Sequence, residues 1–258
     1  MSGNIHRFEG LAEAYDAFRP TYPVGVFELL AQELPQVPKC AVDVGAGTGL
    51  STQGLMDNLP DGWLVIGAEP GEDMRRVLTR RFRDRANFHA NDSTAESLKL
   101  PSGSVGLLTA FTAFHWFDRV AFYAEAARVL APGGIMAIVR NRRTPDPLIA
   151  EFDAFVEEHS TEIADMKRRE LTKEPTVREL AALEPFKSAQ SRTLNWQENM
   201  DGRQLVDLYL TRSTVAFVVR TIGLTKVRDA FEEIYSRHQG TATKELQWET
   251  TIKWVRRR

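Results

Sequence analysis

Apolar positions along the first 140 residues switch repeatedly between two periods. Over 24–34, Val26, Phe27, Leu29, Leu30 and Leu34 fall at helical spacing, and the run 40–44 that follows is a short continuous apolar strand. A helix is predicted at about 50–58, a second strand at 63–68, an arginine-rich helix at about 71–84 and a short third strand at 87–90. Val105 to Phe111 gives the fourth strand, Asp118 is placed to cap a helix running to Leu130, and Ala131-Pro132-Gly133-Gly134 reads as its stop. Ile135 to Val139 is the fifth strand. Strands alternating with helices imply an α/β fold with a parallel doubly wound sheet, which holds ligands beyond the carboxyl ends of its strands.

After Arg140 the pattern changes. Residues 147–184 are amphipathic and charged without a clear strand, whereas 186–197 and 244–255 alternate like strands around a helical stretch at 201–238. The predicted organisation is a core with an N-terminal helical cap over 1–141, a helical lid insertion over 142–184, and late strands over 185–258 that carry the helical insertion 201–238. Insertions at the carboxyl edge of such a sheet form lids over a ligand.

Composition narrows the class. With 258 residues, 43% hydrophobic and 26% charged, the chain can bury the core of one α/β domain plus an insertion. A net charge of −2 gives no broad electrostatic reason for a nucleic-acid or membrane partner, and Arg256-Arg257-Arg258 reads as a solvated terminus. Cys40 is the single cysteine, so no internal disulfide is available and a reducing, cytoplasmic setting is expected, with Cys40 serving as a small buried hydrophobe. There is no run of about 18 apolar residues and no apolar signal core at the N-terminus. Monomer and homodimer both stay open.

One stretch constrains the chemistry. Val42-Asp43-Val44-Gly45-Ala46-Gly47-Thr48-Gly49-Leu50 is a glycine turn that follows an apolar strand and opens a helix. Glycines there let the chain turn sharply and let a ligand approach backbone N–H groups at a helix N-terminus, which points to a nucleoside cofactor. A dinucleotide fingerprint keeps Gly-x-Gly-x-x-Gly, but here Leu50 holds the last place and glycine falls one position earlier, at Gly49. The next apolar strand ends at Glu69, 20 residues beyond Gly49, where a carboxylate can accept both ribose hydroxyls. A nicotinamide dehydrogenase would share the turn and the acid, yet it predicts glycine in place of Leu50.

The ordered set of the glycine turn, Gly67-Ala68-Glu69-Pro70 with Met74, Thr94-Ala95-Glu96, Phe114-His115-Trp116-Phe117-Asp118 and Val129-Leu130-Ala131-Pro132-Gly133-Gly134 resembles class I S-adenosylmethionine-dependent methyltransferases. Upstream, Tyr15-Asp16-Ala17-Phe18-Arg19-Pro20 is similar to the N-terminal signature of the small-molecule branch that includes trans-aconitate methyltransferase-like proteins. The resemblance implies a Rossmann-like seven-stranded sheet whose late antiparallel pair matches the strands at 186–197 and 244–255. It implies S-adenosylmethionine as cofactor and S-adenosylhomocysteine as product. Gly45, Ala46 and Gly47 then line the methionine part, with Thr48 also at the cofactor, Glu69 holds the ribose, and Met74 or Pro70 packs on the adenine. Thr94, Ala95 and Glu96 fall at the adenine edge, with Glu96 or a backbone carbonyl replacing the aspartate that many relatives carry at Thr94. The Ala110 carbonyl meets the ammonium, Tyr15 and Arg19 face the carboxylate, and Asp43 either touches the ligand or satisfies backbone donors of the turn.

The chemistry that follows is in-line displacement of a sulfonium methyl by an O, N or S atom of a small molecule, which needs alignment and exclusion of water. No metal is needed, and none of the five histidines has metal-ligand spacing with another. His115 follows the fourth strand and is the candidate base for a hydroxyl or protonated amine; it also reads as a packing and capping residue beside Trp116 and Phe117. A carboxylate or thiolate acceptor needs no base. Phe114, Trp116, the lid at 142–184 and the segment Leu208 to Ser213 are candidate acceptor walls, with Arg142, Arg143 and Arg212 available to an acidic substrate. Two other readings stand beside this one. A nucleic-acid methyltransferase is disfavoured because Ala110-Phe111-Thr112-Ala113-Phe114-His115-Trp116 replaces the Asn/Asp-Pro-Pro-Tyr/Phe signature after strand four. A non-catalytic cofactor-binding sensor or subunit is compatible with the turn and Glu69.

Overall fold

The computed structural model describes residues 12–36, 38–159, 174–240 and 242–258; residues 160–173 of the expected lid and 1–11 of the expected cap lie outside the described residues. Helices α1 (Ala12–Phe18) and α2 (Val24–Gln32) precede β1 (Cys40–Val44), α3 (Leu50–Asn58), β2 (Leu64–Ala68), α4 (Glu72–Arg81), β3 (Phe88–Asn91) and β4 (Val105–Phe111). A 3-10 turn at Phe114–Trp116 leads into α5 (Arg119–Val129), β5 (Leu130–Arg143) and α6 (Pro147–Glu158). The remainder is α7 (Val177–Ala181), β6 (Phe186–Met200), α8 (Gly202–Leu210), α9 (Ser213–Ile222), α10 (Leu224–Gln239) and β7 (Lys244–Arg257).

The seven strands form one sheet in the order β3-β2-β1-β4-β5-β7-β6. Strands β1 to β5 pair in parallel, and β7 lies antiparallel between β5 and β6. The mostly parallel, seven-stranded Rossmann-like sheet with its late antiparallel strand is therefore present. Strand order reverses between β1 and β4, so the chain leaves these two neighbours in opposite directions and opens a crevice at their carboxyl ends.

Every residue of β4 is buried, as a strand covered on both faces requires. Alternate residues feed two cores: Val42, Val44, Leu108 and Ala110 pack with Phe114 and Phe122, whereas Ala41 and Leu107 pack with Phe27, Trp63 and Trp254. A third cluster joins α6, α8, α9 and α10 to Leu246 and Trp248 of β7. The late helices thus sit on the antiparallel end of the sheet and reach the crevice from that side.

Local chemistry sets the ends that matter. Asp118 accepts N–H bonds from Val120 and Ala121, both at 3.1 Å, and so starts α5 where the sequence places it. Asp146 does the same for α6, with Pro147 at the first helical position. Strand β5 differs from the expected 135–139. Residues 131–134 form an irregularity within it rather than a free loop, because Val105 pairs with Leu130 and the next pair is Leu107 with Ile135. At its other end it continues through Arg143, past the expected 141/142 boundary, because β7 supplies a partner as far as Trp248.

Candidate active site

Beyond the carboxyl ends of β1, β2 and β4 lies a cleft of about 1260 Å³. That exceeds the ~300–1,000 Å³ of a pocket for one small ligand, leaving room for two. One end is built by Gly45, Gly47, Glu69, Pro70, Met74 and the loop Thr94, Ala95, Glu96; the other by Arg140 to Asp146, Asp153, Leu208, Arg212 and Trp248. Tyr15, Arg19 and the segment Phe111 to Ala113 with His115 and Trp116 lie along it.

The glycine turn explains its own spacing. Gly49 is left-handed at φ 96° at the start of α3, and a Cβ there would stand 2.7 Å from Phe82 Cε2 and 2.8 Å from Leu78 Cδ1. Gly47, at φ 58°, differs: a Cβ would meet nothing within 4 Å, because the position opens on the cleft. A side chain there would fill ligand space. Thr48 Oγ1 is buried without a hydrogen-bond partner among the described residues, beside a small cavity of about 80 Å³ that Ala46, Gly47 and Thr48 also line.

Glu69 ties the two loops together. Its Oε2 accepts the Gly47 N–H at 2.9 Å and its Oε1 accepts the Gly71 N–H at 2.8 Å. Burial pushes its carboxyl above the ordinary carboxylate range, opposed by those two N–H bonds and by the charge of Arg75. Each oxygen keeps a second lone-pair direction, so a diol can still be accepted.

Asp43 occupies a place that the sequence reading does not foresee. It is fully buried and lines neither cavity. Oδ2 accepts the hydroxyls of Ser51 and Thr52, both at 2.7 Å, and Oδ1 accepts that of Thr109 at 3.1 Å. Its donors are three hydroxyls from α3 and β4 rather than backbone N–H groups of the turn. Burial pushes its carboxyl up to about 6 against the downward pull of those hydrogen bonds.

Other predicted positions sort by the same measure. Pro70, Met74, Thr94, Ala95 and Glu96 line the cleft, and Met74 is also packed against Ala12 and Val77. Glu96 accepts the Asp118 N–H at 2.9 Å, linking the loop Thr94 to Glu96 to the start of α5. Ala110 is fully buried and its side chain lines neither cavity; Phe111, Thr112 and Ala113, just beyond it, do. Arg19 donates from Nε to Thr211 Oγ1 at 2.9 Å and from Nη2 to the Thr211 carbonyl at 3.2 Å, with its guanidinium 4.7 Å from the Tyr15 ring centroid. His115 and Trp116 line the cleft with ring centroids 4.6 Å apart. Phe114 is 3% exposed and packs on Phe117, Phe122 and Tyr123, so Phe117 takes the wall position expected of it.

Several lining residues escape sequence reasoning. Thr112 is left-handed at φ 48° and receives the Tyr22 hydroxyl at 3.0 Å, a relation across 90 residues of sequence. Trp248 reaches the cleft only through the sheet order, whereas Asp146 and Asp153 lie within the segment 142–184 expected as a wall. The alternation along 244–255 marks Trp248 as inward-facing, but no local signal says which cavity it faces.

The Methyltransferase domain family matches residues 42–138, the stretch from β1 to β5. An uncharacterized methyltransferase of Mycobacterium tuberculosis is 30% identical over 224 residues, which are 86% of this chain and 84% of that protein. The trans-aconitate 2-methyltransferase of an Acidovorax species is 29% identical over 125 residues, 48% of this chain and 46% of that enzyme. A solved structure from Anaeromyxobacter dehalogenans, named as a candidate type II methyltransferase, is 25% identical with a TM-score of 0.62 and covers 93% of this chain and 98% of its own. With the turn, the acid after β2 and the sheet order in place, the chain belongs to the S-adenosylmethionine-dependent methyltransferases.

Proposed function

We propose that this methyltransferase modifies an O, N or S atom of a small molecule held between the loop after β4 and the arginine-rich extension of β5. When bound, S-adenosylmethionine supplies an electrophilic methyl on a sulfonium. Gly45 and Gly47 leave room for its methionine part, Glu69 holds the ribose, and Pro70, Met74 and Thr94 to Glu96 form the adenine wall. Tyr15 and Arg19 face the carboxylate. The observation that carries this reading is Glu69, fixed by Gly47 and Gly71 N–H groups yet retaining acceptor capacity on both oxygens.

The chain's own contribution is to align the acceptor and exclude water. His115 takes the proton of a hydroxyl or ammonium acceptor; a carboxylate or thiolate acceptor leaves it idle. The helices α6 and α8 to α10 cover the acceptor half. Lone Cys40, partly buried on β1, supports a cytoplasmic setting, and either a monomer or a homodimer can present this cleft. Among the described residues no helix is long and apolar enough to cross a membrane.

Calorimetric titration with S-adenosylmethionine, S-adenosylhomocysteine and NAD in parallel tests the cofactor half. Binding of the two sulfur nucleosides but not NAD is expected. Binding of NAD alone would overturn the proposal, and turnover with an acceptor separates an enzyme from a sensor.

A further inference from the structure

The arginines along the cleft are concentrated at the end away from Glu69. Acids Glu69, Glu96 and Asp118 stand at the cofactor end, and guanidinium groups gather at the other. At that basic end most charges have partners: Arg212 Nη1 meets Asp153 Oδ1 at 2.7 Å, Arg140 and Arg142 share Glu174 at 2.8 and 3.3 Å, and Lys244 holds Asp146 at 2.6 Å. Arg143 is the exception. It lines the cleft with no carboxylate in salt-bridge contact among the described residues, and its Nη1 is buried without a hydrogen-bond partner. Its guanidinium lies 4.5 Å from the Tyr209 ring centroid and 5.5 Å from that of Trp248.

Aromatic faces orient a guanidinium but leave its in-plane donors unused. A partly buried guanidinium without a counter-charge is unfavourable, and an oxyanion accepting its N–H groups offsets that cost. Burial weakens the hold of Arg143 on its proton, and the charges of Arg212 and Arg19 act the same way against Tyr209 and Asp153, so the surroundings leave positive charge uncompensated.

Resting on the methyltransferase reading, we infer that Arg143 is a specificity-determining residue that seats an oxyanion of the acceptor, a carboxylate or phosphate group, between the ring of Trp248 and the Arg212–Asp153 pair. This group is a handle for the acceptor, apart from whichever atom receives the methyl. Asp153 sets the polarity of the seat by neutralising Arg212 and leaving Arg143 as the open cation.

The test uses the full chain, saturated with S-adenosylhomocysteine, titrated at fixed ionic strength with citrate and separately with inorganic phosphate. Heat and tryptophan fluorescence are read together, because Trp248 borders the seat. Saturable binding of one or both anions is expected, citrate alone indicating a polycarboxylate acceptor and phosphate alone a phosphorylated one. Arg143→Met should weaken that binding at least tenfold, Arg143→Lys less, and Arg203→Met, 88% exposed and away from the cleft, should leave it unchanged. An unaltered affinity for S-adenosylhomocysteine shows that the variants are folded. Failure of both anions to bind, or equal binding by Arg143→Met, overturns the inference while leaving the methyltransferase reading intact. Failure of wild type to bind S-adenosylhomocysteine, with anion binding still lost in Arg143→Met, sinks that reading but not the oxyanion seat.

Discussion

Glu69, just beyond the second strand, reaches back to accept the Gly47 N–H at 2.9 Å, so this carboxylate and the glycine turn form a single unit. Replacing it with alanine removes the loop tie and, on the proposed function, a ligand contact with it. Glu69→Ala should weaken S-adenosylhomocysteine binding by about 1–3 kcal/mol, the range for hydrogen bonds to a charged group. Calorimetry reads this directly, and an unchanged affinity would place Glu69 outside the ribose site.

The two glycines flanking Thr48 should fail differently. Alanine at either left-handed position costs about 1–2 kcal/mol. At Gly49 the added methyl also collides with Phe82 and Leu78, so Gly49→Ala should be the less stable protein. At Gly47 the methyl enters open cleft, so Gly47→Ala should lose cofactor affinity out of proportion to its stability. Urea unfolding paired with calorimetry separates the two effects; equal stability of the two variants would contradict the packing seen at Gly49.

Asp43 should leave a signature in acid. Its carboxyl titrates at about 6 when folded against 3.8 ordinarily, so the native state holds the proton more tightly than the unfolded chain. Its contribution to stability is therefore most favourable below the unfolded value and falls as pH rises toward 6, by roughly 3 kcal/mol at 1.36 kcal/mol per unit. Unfolding free energies of wild type minus Asp43→Asn should decline from about pH 4 to 6 and level off above. A flat difference would mean that the three hydroxyls compensate burial fully.

Tyr22 and Thr112 should be energetically coupled. Burial keeps the Tyr22 phenol well above its ordinary pKa and hence a donor, and the hydroxyl it donates to is 3.0 Å away. Thr112→Ala strands that donor and should cost about 1–3 kcal/mol, whereas Tyr22→Phe removes it and should cost less. In a double-mutant cycle the pair should show a coupling of about 1 kcal/mol. A coupling of zero would make the hydrogen bond incidental to the loop after β4.

Legibility followed sequence distance. The turn, its helix and the strands β1 to β4 are local patterns, and they lie where apolar runs and glycines put them. Strand β5 is longer than its apolar stretch because its last residues pair with β7, more than a hundred positions later. Asp43 illustrates the same limit at the level of a side chain: nothing near it in sequence shows that Thr109 will stand against its second oxygen. Arg143 was visible as an arginine after a strand, but its lack of a counter-charge depends on Asp153 choosing Arg212 and Glu174 choosing Arg140 and Arg142.

The place of β7 between β5 and β6 has a consequence for biogenesis. Strand β6 is synthesised first but finds its neighbour only in β7, so the antiparallel end of the sheet cannot close until β7 has been synthesised and has entered the gap beside β5. Trp248 rides on that strand. A nascent chain not yet extended through β7 already carries the glycine turn and Glu69 but lacks Trp248, so one end of the cleft is complete in sequence well before the other has its wall.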